Sequence, residues 1–405
     1  MSAGMLSKVA TGRESSFFAA DMADFNTVIS GRVKGARLLV IGGAGSIGSA
    51  TIRQLVPFAP GALHVVDVNE NGLAELVRDL RGGTAPFEVR DLKTLPLDFG
   101  SEILHRFLNS EAPYDYVFNF AALKHVRSEK DIFSVLQMIN TNILKQARLL
   151  AWLGEKRTPV HYFAVSTDKA ANPVNLMGAT KKLMEHVLFR CAPKGGNWCV
   201  TTARFANVAF SDGSLLYSWI QRLAKGQPVV APLDTRRFFV SAEESGQICL
   251  LAGLLGKDRH IHIPTLNEDE HLRDLREVAR EFLLAKGYQP AEYENEQQAK
   301  ENLARDVARG HYPLLLTALD TSGEKPYEEF AEEGDTVIDA GFSALRAIPY
   351  AAAESGDLAG LLEWFEEIVS RPELPVSKQE MVRQISLCLP EFRHIETGKK
   401  LDDRF

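Results

Sequence analysis

A doubly wound parallel α/β sheet is the fold class the sequence predicts, and three observations predict it. Apolar runs of strand length recur between stretches of helical periodicity. The first run, Arg37-Leu38-Leu39-Val40-Ile41, passes into the glycine string Gly42-Gly43-Ala44-Gly45-Ser46-Ile47-Gly48. A later run, Val160 to Val165, ends on the polar quartet Ser166-Thr167-Asp168-Lys169, and open α/β sheets bind their ligands at the carboxyl ends of strands.

With 405 residues, 45% apolar and 24% charged, the chain has room for two domains with sizeable cores. Its net charge of -7, with 46 basic residues scattered among 53 acidic ones, leaves no basic stripe and argues against nucleic acid as a partner. The four cysteines form no CxxC or CxH pair, so they read as reduced core thiols and no metal is expected. The first residues lack an apolar core of signal-peptide length, and no apolar run reaches a membrane span. A cytoplasmic chain with no membrane contact is expected.

Residues 1–35 carry Phe17, Phe18, Met22 and Phe25 among polar residues without a strand pattern. They fit an amphipathic arm that packs on another surface, or a poorly ordered terminus. In the glycine string, Gly42, Gly45 and Gly48 allow a tight turn and let the backbone, through Ser46 and Ile47, approach a pyrophosphate at the start of a helix. That strand, turn and helix order is the Rossmann-like dinucleotide arrangement, although the spacing is GxxGxxG. The second strand, Leu63 to Asp67, places a carboxylate where it can accept both ribose hydroxyls of NAD and repel the extra phosphate of NADP. Asp67 could instead cap the helix that follows.

A loop bearing Arg and Asp leads to Leu97-Asp98-Phe99 and a helix near residues 101–109. The strand Tyr116 to Phe120 runs into Ala121-Ala122-Leu123-Lys124-His125, whose small residues let a cofactor lie against the backbone. Lys124 is then placed to meet a phosphate or a ribose, or is a solvated surface lysine; His125 reads as structural. A helix over about 132–153 precedes the polar quartet. Another begins at Asn175, and on it Met177 and Lys181, four apart, share a face. A tyrosine at 177 would complete a Tyr-x-x-x-Lys pair, and the chain has methionine there.

Taken together, GGAGSIG, AALKHV, STDKAANP, MGATK, ARFANV, RRFFV and TSGEK, spread over residues 37–330, resemble the extended short-chain dehydrogenases, in the polysaccharide-biosynthesis group of nucleotide-sugar 4,6-dehydratases that includes the UDP-N-acetylglucosamine 4,6-dehydratases. The resemblance implies NAD as cofactor, held by the glycine loop with Asp67, Asp98, Phe99, Ala121, Ala122, Lys124 and Lys181. It implies a substrate diphosphate or nucleotide met by Lys124, Asn207 and Arg237, with a UDP-linked sugar preferred, and a homo-oligomer as the working form.

The chemistry implied is an internal redox cycle giving a 4-keto-6-deoxy sugar, in which Asp168 is the acid for the departing C6 hydroxyl, Lys169 the base at C5 and Thr167 the orienter of the C4 oxygen. Lys181 would hold the nicotinamide ribose. Without a phenol at 177, the C4 hydroxyl proton goes to Asp168, Lys169 or water. A C4 epimerase or reductase, and a catalytically silent NAD-binding scaffold, are the competing readings. The acid and base pair argues against both. The expected organisation is an arm (1–35), a dinucleotide-binding domain (36–205), a mostly substrate-binding domain (206–330) and a carboxyl-terminal extension (331–405).

Overall fold

The computed structural model describes residues 2–83, 87–156, 160–194, 198–318, 327, 329–351 and 357–395, except for the side chains of Val126 and Arg127. The TSGEK motif at 321–325 lies outside them. Fifteen strands occur among the described residues: β1 Arg37–Ile41, β2 Ala62–Val66, β3 Asp91–Leu95, β4 Tyr116–Asn119, β5 His161–Val165, β6 Cys199–Ala203, β7 Asn207–Val208, β8 Val229–Pro232, β9 Arg236–Val240, β10 His260–Pro264, β11 Leu272–Asp274, β12 Gln289–Tyr293, β13 His311–Thr317, β14 Ile338–Asp339 and β15 Leu345–Pro349.

Nine of them form one sheet in the order β14-β15-β10-β6-β5-β4-β1-β2-β3. From β3 to β10 every pairing is parallel, and β15 closes the edge antiparallel to β10. Leu38 to Ile41, Ala62 to Val66 and Tyr162 to Val165 are buried, as expected of parallel strands covered on both faces. The strand order reverses between β1 and β4: β2 and β3 extend to one side, β5 and β6 to the other. This doubly wound arrangement opens a crevice above the β1/β4 junction.

A second, parallel sheet, β12-β13-β8, is built from residues between 229 and 317 and has its own apolar core around Trp219, Val278, Phe282 and Leu314. Helix Glu296–Ala308 packs against β13. A third sheet, β11-β9-β7, joins this unit to the crevice.

The arm does not hang free. Its helices, Ala3–Thr11, Ala19–Asp24 and Asn26–Val33, pack on their own chain. Phe18 is fully buried, and Arg13 makes a two-pronged pair with Glu244 at 3.0 and 2.6 Å. The buried carboxylate of Asp21 accepts the backbone N–H groups of Ser343 and Ala344 at 2.6 and 2.8 Å.

Beyond β15, helices Leu358–Ser370 and Lys378–Cys388 bury Phe365, Ile385 and Cys388 in the main core. The segment after them runs beside residues 173–174, with Arg393 N–H on the Pro173 carbonyl at 3.2 Å and Ile395 N–H on that of Val174 at 2.9 Å.

Candidate active site

The crevice above the β1/β4 junction is a cleft of about 550 Å³, and every site residue singled out from the sequence lines it except Arg237. Along its floor the turn after β1 demands glycine at 42, where φ is +72° and a Cβ would lie 2.7 Å from the Ala121 nitrogen. Helix Ser46–Leu55 starts at the cleft, with Gly45 as its first flanking residue. Asp67 stands at the end of β2, its carboxylate accepting from Ala44 N–H at 3.0 Å and Asn69 N–H at 2.9 Å. The cap of the following helix is Asn69, which accepts from Gly72 N–H, so the capping role considered for Asp67 belongs to the residue two further on.

Two buried asparagines shape the wall after β4. Asn119 accepts from Ala121 N–H at 3.0 Å and donates to Gln146 and to the Tyr162 hydroxyl. Asn142 takes Leu123 N–H and gives to the Leu123 carbonyl, both at 2.9 Å. It sits in Asn140–Leu144, a π-helical stretch inside the predicted 132–153 helix; such bulges gather at functional sites. Lys124 extends into the cleft. The surrounding protein lowers its pKa, against the pull of the Asp212 carboxylate.

Opposite stands the polar quartet. Thr167 hydroxyl donates to Asp168 Oδ1 at 2.8 Å, and Lys169 Nζ reaches the same oxygen at 3.0 Å. Asp168 is buried, with Lys169 more open. Helix Leu176–Cys191 presses against this turn so closely that a Cβ at Gly178 would meet the Lys169 carbonyl at 2.3 Å. Met177, 2% exposed, gives the wall an apolar surface. Its N–H donates to Glu129 at 3.0 Å, and the other Glu129 oxygen pairs with His394 at 3.3 Å.

Lys181 donates to the Val165 carbonyl at 2.7 Å. Burial pulls its pKa down to about 8, against the field of Glu185. Beneath the quartet Glu185 accepts from Ser166 at 2.6 Å and is gripped by Arg204 at 2.8 and 2.7 Å; Glu185 and Arg204 are each 1% exposed. Burial acts to raise the Glu185 pKa, but the Arg204 charge holds the carboxyl below its usual range.

Asn207 reaches the cleft from β7, and its amide donates to the Phe238 carbonyl at 3.4 Å. Pairing of β9 with β7 sets Phe239 beside Asn207 and leaves Arg237 outside the cleft wall, opposite Arg273 and donating to the Arg236 carbonyl. The sequence reading missed Asn142, Lys145, Glu185 and Arg204. The signal available was a charged or amide residue inside an otherwise apolar helix or strand.

Residues 38–343 match the family described as polysaccharide biosynthesis protein. The chain belongs to that family. Among curated relatives, the probable polysaccharide biosynthesis protein EpsC of Bacillus subtilis is 26% identical over 347 residues, 85% of this chain and 52% of EpsC. A protein of Methanocaldococcus jannaschii described as an uncharacterized membrane protein is 33% identical over 270 residues, 66% of this chain and 77% of its own length. The chain thus spans about half the length of EpsC, and no helix among the described residues is long and apolar enough to cross a membrane.

Among solved structures, Pen from Bacillus thuringiensis has a TM-score of 0.62 at 20% identity, covering 80% of this chain and 90% of Pen. The dTDP-glucose 4,6-dehydratase DesIV from Streptomyces venezuelae has a TM-score of 0.55 at 20% identity, covering 82% and 97%. These share the fold of this family member.

Proposed function

We propose that the chain is an NAD-dependent nucleotide-sugar 4,6-dehydratase, acting on UDP-N-acetylglucosamine or a related UDP-linked N-acetylhexosamine to give a 4-keto-6-deoxy sugar. The observation that carries the reading is Asp168 bonded at once to Thr167 and Lys169 at the wall of a dinucleotide-shaped cleft. The residues present suit NAD: a glycine turn at a helix start, Asp67 for the ribose and a cleft of about 550 Å³. Bound NAD would supply a hydride acceptor for C4 and the donor that returns the hydride to C6.

The chain's own residues then handle protons. Lys169 and Asp168 share a 3.0 Å contact, so one proton can lie on either. With the proton on Asp168, Lys169 is the neutral base that takes the C5 hydrogen, and Asp168 protonates the C6 hydroxyl as it leaves. Two protons are removed, from the C4 hydroxyl and from C5, and two are delivered, to the departing C6 hydroxyl and back to C5 once C6 is reduced, which leaves the pair ready for the next turnover. Thr167, donating to Asp168, orients the C4 oxygen and links it to the same pair. Lys181 would hold the nicotinamide ribose, and Asn207 and Lys124 would meet the nucleotide diphosphate. Arg237 could join them only if β9 shifts toward the cleft. Incubation with UDP-N-acetylglucosamine, read by NMR, tests the reading: a 4-keto-6-deoxy product supports it, and a C4 epimer as sole product replaces it.

Two further outcomes are expected. The chain binds NAD more tightly than NADP in calorimetry, because Asp67 offers a carboxylate where the extra phosphate would lie; a clear preference for NADP would sink the role of Asp67. Met177→Tyr gives no large gain in turnover. Thr167, Asp168 and Lys169 already carry the proton traffic, and a phenol placed in an apolar wall without a partner costs about 1–3 kcal/mol. An inactive parent chain rescued by the tyrosine would overturn the proton assignment.

A further inference from the structure

Asp212 lines the cleft beside the glycine turn, where the fold has prepared a place for an anion. It belongs to residues 209–214, a strap that runs from the smaller core to the cleft. At one end Ala209 is buried in that core, and the Phe210 ring lies 6.0 Å from that of Phe282. At the other, Ser46 Oγ donates to Asp212 Oδ2 at 3.3 Å and accepts from Asp212 N–H at 3.1 Å. Gly213, with φ at +72°, crosses the His125 ring so closely that a Cβ would meet it at 2.9 Å. The strap is thus fixed at three points, and its one carboxylate is held at the start of helix Ser46–Leu55.

That placement bears on which phosphates the cleft can take. Gly45 brings the helix no side-chain cap, so its first N–H groups and its dipole favour an incoming phosphate. The Asp212 carboxylate can only accept, and Ser46 spends its hydroxyl on it. Lys124 lines the same cleft, and its positive charge is drawn on by Asp212. A phosphate settling on the glycine turn therefore meets a cation already shared with an anion. In a dinucleotide both ends of the pyrophosphate are esterified, and each phosphorus carries one negative charge. A nucleotide such as ADP ends in a free phosphate that carries close to two. The second charge has no cation left to meet.

Resting on the reading that the cleft holds NAD, we infer that Asp212 is a specificity-determining residue, which sets the cleft to accept a pyrophosphate esterified at both ends and to turn away nucleotides that end in a free phosphate. NAD and a nucleotide sugar are both of the accepted class, whereas ADP and UDP are of the other. A carboxylate that merely tied the strap to the glycine turn would treat the two classes alike.

The test is calorimetric binding of ADP-ribose and of ADP to the full chain, two ligands with the same adenosine and different phosphate ends. Asp212→Asn keeps an acceptor for Ser46 and removes the charge. It should raise ADP affinity about tenfold and ADP-ribose affinity about threefold, as two charges against one require near a protein surface. Asp212→Ala removes the side-chain clasp as well and should shift the balance between the two ligands by the same factor. Equal gains for both ligands in Asp212→Asn would overturn the inference, as would a shift seen in Asp212→Ala alone, which would make the residue a clasp. Failure of ADP-ribose to bind the parent chain would take down the cofactor reading and the inference together; ADP-ribose that binds while the two gains are equal leaves the cofactor reading standing and removes only the role of Asp212.

Discussion

Asp168→Asn is expected to bind NAD and nucleotide sugar as the parent chain does while losing about a hundred- to ten-thousand-fold in turnover. Asparagine keeps the shape of the carboxylate and can still accept from Thr167, whose 2.8 Å bond closes the turn. What it cannot do is carry the proton that the proposed mechanism shares with Lys169. The loss should therefore appear in kcat with little change in KM, the pattern of an interaction that matters only in the transition state. Lys169→Ala is the companion, because it removes the other holder of that proton and should lose activity comparably. A rapid Asp168→Asn chain, or a Lys169→Ala chain of normal activity, would remove the pair from the mechanism.

The second large effect is on stability. Arg204 is 1% exposed, and its charge is met by Glu185 at 2.7 Å and Glu332 at 3.3 Å. Among the described residues, Arg204→Ala leaves the buried Glu185 carboxylate with only Ser166 as hydrogen-bond partner, and breaking a buried pair in this way costs about 3–5 kcal/mol. Denaturant unfolding should show that loss. The double change Arg204→Met with Glu185→Met should recover most of it, since apolar residues of similar volume need no compensating charge. A loss below about 1 kcal/mol in the single variant would mean that water reaches the pair.

The nucleotide end of the site was the easier part to read from sequence. The β1 run and the glycine turn are contiguous, and a tight turn between strand and helix admits few residues, so composition alone announces it. The quartet after β5 was visible for the same reason. β3 was read as a loop because Asp91-Leu92-Lys93-Thr94-Leu95 is the outer strand of the sheet and carries its charges there. Gln289 to Tyr293, with Pro290 and Glu292 among its five residues, announces no strand, though it pairs in parallel with β13. Asn142 and Lys145 went unnoticed because each acts on a partner about 20 or more residues away, Leu123 or Asp98. The Glu185 and Arg204 pair has the same origin: a charge in an apolar stripe signals a buried partner without saying which.

The carboxyl-terminal segment has a bearing on how the site comes into being during synthesis. Pro173 and Val174, which lead from the Asp168 turn to the Met177 helix, take their backbone partners from Arg393 and Ile395, while His394 steadies the glutamate that holds Met177 N–H. A ribosome delivers those partners only after the whole sheet has emerged. Until then, the turn carrying Asp168 and Lys169 lacks part of its scaffold, although the glycine turn and Asp67 are already made. On the proposed mechanism, a nascent chain of this kind would hold a dinucleotide before it could move a proton.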